Sequence, residues 1–345
     1  MGIIDDLKWR YATKKFDREK QLSADKLDVL KEAFNLTAVS YGLQTLKLVV
    51  IKDKGIRERL VEISLAACAG ISALVTVSII AILLSETVDF FGQVSLLEFL
   101  TETRWTPRLT DRHYGILPLF TASLQVAIGA GLLALPTGLL TAIFLSEYSG
   151  ARLRSVLKPA LEVLAGIPTV VYGYFALTFV TPALRWVFPD VGIFNGASAA
   201  IVLGIMILPT VSALSEDALR SVPRGLREAA YGLGASKVAV TTRIVVPAGA
   251  SGILASFILA LSRAFGETMV VTIAAGSSPN LAVNPLEAIQ TMTAYIVQVG
   301  EGNAPSGTLE HSTLFAVGIA LFAVTFGMNW IAQWVRSRFH GGRHG

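Results

Sequence analysis

The chain has 345 residues, 53% of them hydrophobic and only 16% charged, with a mean hydropathy of +0.59 and a formal net charge of +4. Soluble domains carry about a quarter charged residues, so this composition excludes an ordinary soluble protein and points to an all-α polytopic membrane protein. The single cysteine, Cys68, excludes an intrachain disulfide.

Residues 1–61 stand apart. They hold thirteen Lys/Arg and nine Asp/Glu and no apolar run of membrane length. Ser23 is a candidate N-cap, and Leu27, Leu30 and Phe34 follow at helical spacing. "LKLVVI" (46–51) reads as a short strand, because it is rich in β-branched residues. The first apolar run starts only near Ile63, after many charges, so no secretory leader is expected.

Six apolar stretches then approach or exceed the roughly 20 residues that cross a bilayer: 63–84, 117–145, 159–183, 196–215, 248–275 and 313–335. The second contains Pro136 and the third Pro168, each a possible kink. Loop charges set orientation through the excess of Lys and Arg on the cytoplasmic side. Arg152, Arg154 and Lys158 follow span two, and Arg220, Arg224, Arg227, Lys237 and Arg243 follow span four. The tail adds Arg336, Arg338 and Arg343, whereas the loop 276–312 has no Lys or Arg at all. Both termini are therefore expected in the cytoplasm, with the two long loops outside. The four histidines are scattered without metal-ligand spacing, and no nucleic-acid-binding pattern is present.

The loop 216–247 carries "EAAYGLGASKVAVTTRIVVP". Ala229 and Ala230 are small enough to let a partner approach the helix backbone, Glu228 offers a charge, and Gly234 can end a short helix in the left-handed region. Pro247 is expected to mark the start of the next span. The spacing, Glu228-Ala229-Ala230, three residues, Gly234, nine residues, then Ile244 and Pro247, resembles the E-A-A-x3-G-x9-I-x-L-P loop of ABC-importer permeases, with Val246 in place of leucine. That resemblance implies a type I importer (MetI-like) fold, residues 57–340, whose loop helix docks in a groove of a cytoplasmic ATPase dimer. No G-x4-G-K-[ST] phosphate loop occurs in this chain. ATP hydrolysis is thus expected of a partner, with neither a cofactor nor catalytic residues here.

Three segments narrow the family: "PLFTASLQVAIGAGLLALPTGLLTAIFLSEYS", "LKPALEVLAGIPTVVYGYFALTFVTPALR" and "SRAFGETMVVTIAAG". They are similar to the phosphate-specific transport (Pst) permeases, and the long first outer loop, with "VSLLEFLTETRWTP", favours the C-type subunit over the A type. The resemblance implies a second permease of A type, an extracytoplasmic phosphate-binding protein, a bacterial inner-membrane location in contact with lipid, and inorganic phosphate as substrate. Within that frame Arg263 and Glu267 are prominent. A straight helix from Ala248 would carry Arg263 to about the bilayer centre, where a charge costs at least about 2.5–3.5 kcal/mol, with Glu267 on the same face. Two roles fit the pair: a phosphate contact that Glu267 holds in readiness, to which the resemblance also points, or an ion pair that fixes helix register. A permease of the same fold for another oxyanion or solute remains the near alternative. Thr169, Tyr172 and Tyr174 fit either a path lining or interhelical hydrogen bonds.

The opening segment "WRYATKKFD … LKEAFNLTAVSYGLQTLKLVVIKDK" is similar to the start of nitroreductase-family flavin enzymes. The resemblance implies flavin contacts at Arg10, Lys14, Tyr41, Gly42 and Gln44, and raises a membrane-anchored flavin oxidoreductase as the alternative of another class. Residues 1–56 hold about a helix or two and one strand of such an enzyme. A short α/β extension without the remaining sheet is expected to bind no flavin.

Overall fold

The computed structural model describes residues 54–281, 284–305 and 307–340. The expected N-terminal helix and strand, with Arg10 and Lys14, lie outside the described residues, as does Arg343.

In chain order the described residues form α1 (Lys54–Phe91), α2 (Leu96–Thr101), α3 (Leu117–Ile143), α4 (Ala151–Gly166), α5 (Thr169–Phe175), α6 (Thr181–Val187), α7 (Gly196–Arg220), α8 (Arg224–Gly232), α9 (Lys237–Val240), α10 (Ala250–Phe265), α11 (Met269–Ala274), α12 (Met292–Gln298) and α13 (Leu309–His340). Single π turns extend α3 through Tyr148 and join α5 to α6. Helices are the expected solution for apolar segments, because they satisfy every backbone group without water. Among the described residues the one β-type pairing is an isolated bridge between Trp105 and Tyr114.

Five stretches are long and apolar enough to cross a membrane: Arg59–Phe91, Leu117–Tyr148, Thr169–Val187, Gly196–Arg220 and Leu309–Val335. A sixth is obtained when Lys237–Ala248 and Ala250–Phe265, bent by 67°, count as one broken span. Two sequence expectations are corrected here. The third span does not run through 159–183: α4 stops at Gly166, and Pro168 caps α5 instead of kinking a longer helix. Pro168 has no N–H to continue the α4 ladder, and it biases Ile167 toward the extended geometry observed there (φ −65°, ψ 129°). The fifth span does not run straight through 248–275 either, because the chain bends at Gly249 and breaks again after Phe265.

The chain divides into two units at the Thr76–Val77 boundary, within α1. In the first, the described part is helix, and Ile63, Leu65, Ile71 and Leu74 are each about two-thirds exposed, as suits side chains bathed in lipid.

The second unit holds the core. It is built on α3 packed along α7, and small residues set how closely they pack. A Cβ on Gly138 would lie 2.7 Å from Val211 Cγ1, and one on Gly204 would lie 3.0 Å from the Ala130 carbonyl oxygen. Membrane helices rely on such close backbone approach because lipid supplies no hydrophobic drive between them. α7 starts from Asn195, whose side chain accepts from the Ser198 N–H at 2.7 Å. Thr181 joins this buried knot, 2.7 Å from the Ser198 hydroxyl. At one end of the bundle, Phe90, Phe99, Trp105, Tyr114 and Tyr295 form a chain of edge-to-face rings, with Trp105 and Tyr295 centroids 5.0 Å apart.

Candidate functional site

Two groups of residues carry the chemistry suggested by the sequence: the loop around α8 and the break between α10 and α11.

α8 ends in a Schellman motif. The Gly234 N–H donates to the Tyr231 carbonyl at 2.9 Å and the Ala235 N–H to the Ala230 carbonyl at 3.1 Å, with Gly234 at φ +82°. The left-handed backbone explains glycine at this position. Ala229 and Ala230 do not act alike. Ala229 and Glu228 are exposed, whereas Ala230 is buried in a cluster with Ala142, Leu219, Val240 and Ile253. The expectation that both alanines face a partner is corrected: Ala230 is small because it packs on its own bundle. Leu233 is 90% exposed beside Gly234. Pro247 does not open the next long helix; it sits in the helical stretch Val246–Ala248 that closes the segment Lys237–Ala248, ahead of the bend, and α10 starts at Ala250.

One arginine fastens this loop. Arg227 donates to Glu147 at 2.9 Å and 3.3 Å, to the Val222 carbonyl at 2.6 Å and to the Leu219 carbonyl at 2.8 Å. Lys237 lies 4.7 Å over the Tyr148 ring. Arg227 thus ties α8 to the end of α3 by an ion pair and to the end of α7 by a hydrogen bond to the Leu219 carbonyl, links that sequence spacing could not reveal.

Arg263 lies in the last turn of α10, and Glu267 lies beyond the helix end, before α11. The expected geometry, two charges on one face of a continuous helix, is therefore corrected, and the two do not pair with each other. Arg263 Nη1 donates to Thr210 Oγ1 of α7 at 3.1 Å. Glu267 accepts from the Val270 N–H at 3.4 Å, while its carbonyl receives the Thr293 hydroxyl at 2.7 Å. The break accounts for both charges: a cation is favoured at a helix C-terminus and an anion ahead of the next N-terminus. Broken helices of this kind recur where membrane proteins hold solutes. Arg263 is exposed on this single chain, so its guanidinium keeps donors for a ligand beside the one used on Thr210. Of the other polar candidates, Tyr172 donates to the Leu164 carbonyl at 2.7 Å, an interhelical bond across the Pro168 corner, and Tyr174 is 66% exposed.

A third group was not anticipated. Glu216 of α7 is 1% exposed, accepts from Arg154 and has Arg220 at 3.7 Å and Lys158 at 4.0 Å. Its legible signal was an acid four residues before Arg220 at the end of an apolar run.

A family model described as "Binding-protein-dependent transport system inner membrane component" matches residues 134–341. Over 275 residues the chain is 35% identical to the probable ABC transporter permease protein YqgH of Bacillus subtilis (strain 168), covering 79% of this chain and 88% of that protein. Over 259 residues it is 35% identical to the phosphate transport system permease protein PstC of Mesorhizobium japonicum, covering 70% of this chain and 78% of that protein. Among solved structures, a chain of a bacterial alginate ABC transporter superimposes with a TM-score of 0.59 at 17% identity, over 83% of this chain and 96% of that chain, which shows a shared fold. With the family match extending over more than half its length and curated relatives at this level of identity, the chain belongs to the inner membrane components of binding-protein-dependent transport systems.

Proposed function

We propose that this chain is a C-type permease subunit of an ATP-driven importer of inorganic phosphate. The observation that carries the reading is Arg263 at the α10–α11 break, exposed and held by a single hydroxyl. A phosphate dianion in a low-dielectric path needs a cation, and a guanidinium suits it with a planar fork of donors that stays charged at any relevant pH. The likeness to phosphate permeases supports the same substrate.

In this reading a second, A-type permease covers the Arg263 face, and a phosphate-binding protein delivers the anion from outside. An ATPase dimer takes α8, with Glu228, Ala229 and Leu233 on the docking side. ATP-driven closure moves α8, and the Arg227–Glu147 pair conveys that motion to α3. Both termini face the cytoplasm, where the basic loops lie. Residues 57–340 form the transporting part, and residues 1–56 take no share in transport. The test is uptake of labelled phosphate in cells that lack other phosphate importers. Uptake is expected only when this chain is co-produced with its partner permease, binding protein and ATPase. Uptake that persists without the ATPase contradicts the proposal.

A further inference from the structure

Between α4 and α7 lies a cavity of about 210 Å³, lined by Lys158 and Glu162 of α4, by Thr210, Ser212 and Glu216 of α7, and otherwise by apolar side chains. At about 30 Å³ per water molecule this is room for roughly seven waters, enough for a tetrahedral oxyanion with part of its hydration shell.

Three features make it a built site. The Ser212 side chain is fully buried, lines the cavity, and its hydroxyl has no hydrogen-bond partner among the described residues. Buried hydroxyls are ordinarily paired, so an orphan calls for a ligand or another explanation. Thr210, on the same wall, is the residue that accepts from Arg263. It retains its own O–H to donate elsewhere. At the end of the cavity toward Arg220, three cations converge on one buried carboxylate: Arg154, Arg220 and Lys158 around Glu216. That group holds more positive than negative charge, and Lys158, which lines the cavity and stands 4.0 Å from Glu216, is the cation for which an arriving anion competes, while Arg154 and Arg220 stay with Glu216.

We infer that this cavity is a second station for the translocated phosphate oxyanion, between Arg263 and the inner surface, with Ser212 and Thr210 as donors, Lys158 as counter-charge and Glu216 as the acid that takes Lys158 back after release. This rests on the function proposed above. Two stations in series suit conduction, since each must bind well enough to accept the ion and weakly enough to pass it on. The mostly apolar wall keeps the hold weak. The phosphate of an anionic lipid has the same chemistry; free phosphate is favoured because Ser212 is fully buried and Thr210 touches the path residue Arg263.

The test uses the complete transporter, reconstituted with binding protein and ATPase in vesicles of phosphatidylcholine alone or with added anionic lipid, and reads labelled phosphate uptake. Lys158→Met and Ser212→Ala are each expected to lower the maximal rate about tenfold, as loss of a hydrogen bond to a charged ligand implies. Lys158→Arg restores most of the rate. The external phosphate concentration for half-maximal uptake and the amount of assembled complex stay as in wild type. Wild-type vesicles that import no phosphate overturn the proposed function itself. Wild-type import matched by both Lys158→Met and Ser212→Ala overturns the second station alone, and so does equal impairment of Lys158→Met and Lys158→Arg. A Lys158→Met defect confined to vesicles with anionic lipid assigns the cavity to a lipid headgroup and overturns it as a station for free phosphate.

Discussion

Arg263 of α10 reaches Thr210 of α7 across 3.1 Å, and this bond, not an ion pair with Glu267, holds the guanidinium. A neutral partner leaves the cation's charge uncompensated. Thr210→Val is therefore expected to loosen Arg263 without removing its charge. Phosphate uptake should fall about tenfold or more, since hydrogen bonds to charged groups contribute about 1.5–3 kcal/mol and 1.4 kcal/mol is about a factor of ten. Uptake in vesicles at matched complex density checks this, and an unchanged rate would mean that Thr210 does not position Arg263.

Coupling is predicted to pass through α8. Glu228→Arg reverses a charge on the exposed side of the helix, and Gly234→Val forces a β-branched residue into the left-handed region at φ +82°, at about 1–2 kcal/mol or more. Both variants should lose co-purifying ATPase or its phosphate-stimulated hydrolysis while remaining in the membrane. Normal values for both measurements exclude this loop as the docking site.

The Arg227–Glu147 pair is a sharper test of how the loop is anchored. The side chains are 16% and 7% exposed, and removing one partner of a buried pair costs about 3–5 kcal/mol. Arg227→Ala should lower the melting temperature of the complex clearly. Arg220→Ala, whose side chain is 53% exposed at 3.7 Å from Glu216, should lower it far less, because the buried Glu216 keeps Arg154 and Lys158 as partners and is not left unpaired. Equal shifts for the two variants would refute the anchoring role.

The hairpin that joins α2 to α3 is predicted to be pH-sensitive. His113 sits between Asp111, 3.0 Å away, and Glu102. The hydrogen bond to Asp111, together with Glu102, raises its pKa above 6.5 although desolvation opposes the shift. A raised histidine pKa stabilises the folded hairpin below pH 6.5, and that contribution is lost as pH rises through the folded value. Backbone hydrogen exchange over 102–115, corrected for intrinsic rate, should quicken from pH 6 to pH 8 in wild type and stay flat in His113→Gln. A parallel rise in the variant would assign the effect elsewhere.

The helical spans were legible because a membrane imposes length and apolarity together, and the turn at Gly234 was legible because only glycine suits a left-handed cap before Ala235. The breaks were harder. Gly266 followed by Glu267 is a visible signal, yet an unbroken helix through 248–275 also satisfies hydropathy and puts Arg263 and Glu267 on one face. Hydropathy runs the end of α4 into the third span, although Lys158 and Glu162 mark 151–166 as polar on one side. The Glu216 group and the Arg227–Glu147 pair join residues up to 80 positions apart, and no local pattern encodes such meetings.

For residues 1–56, whose Arg10 and Lys14 resemble flavin contacts, deletion of 1–50 is expected to leave phosphate uptake intact and the purified chain colourless. A yellow preparation with a bound-flavin spectrum would contradict this, as would lost uptake at normal membrane levels.

The central claim is that Arg263 contacts the translocating anion, and the most direct measurement is labelled phosphate uptake by the reconstituted complex with Arg263 replaced. Arg263→Ala should abolish uptake while the complex assembles and still binds its ATPase, and Arg263→Lys should recover only part of it, because a point charge lacks the bidentate fork. Uptake at the wild-type rate by the alanine variant would contradict the account.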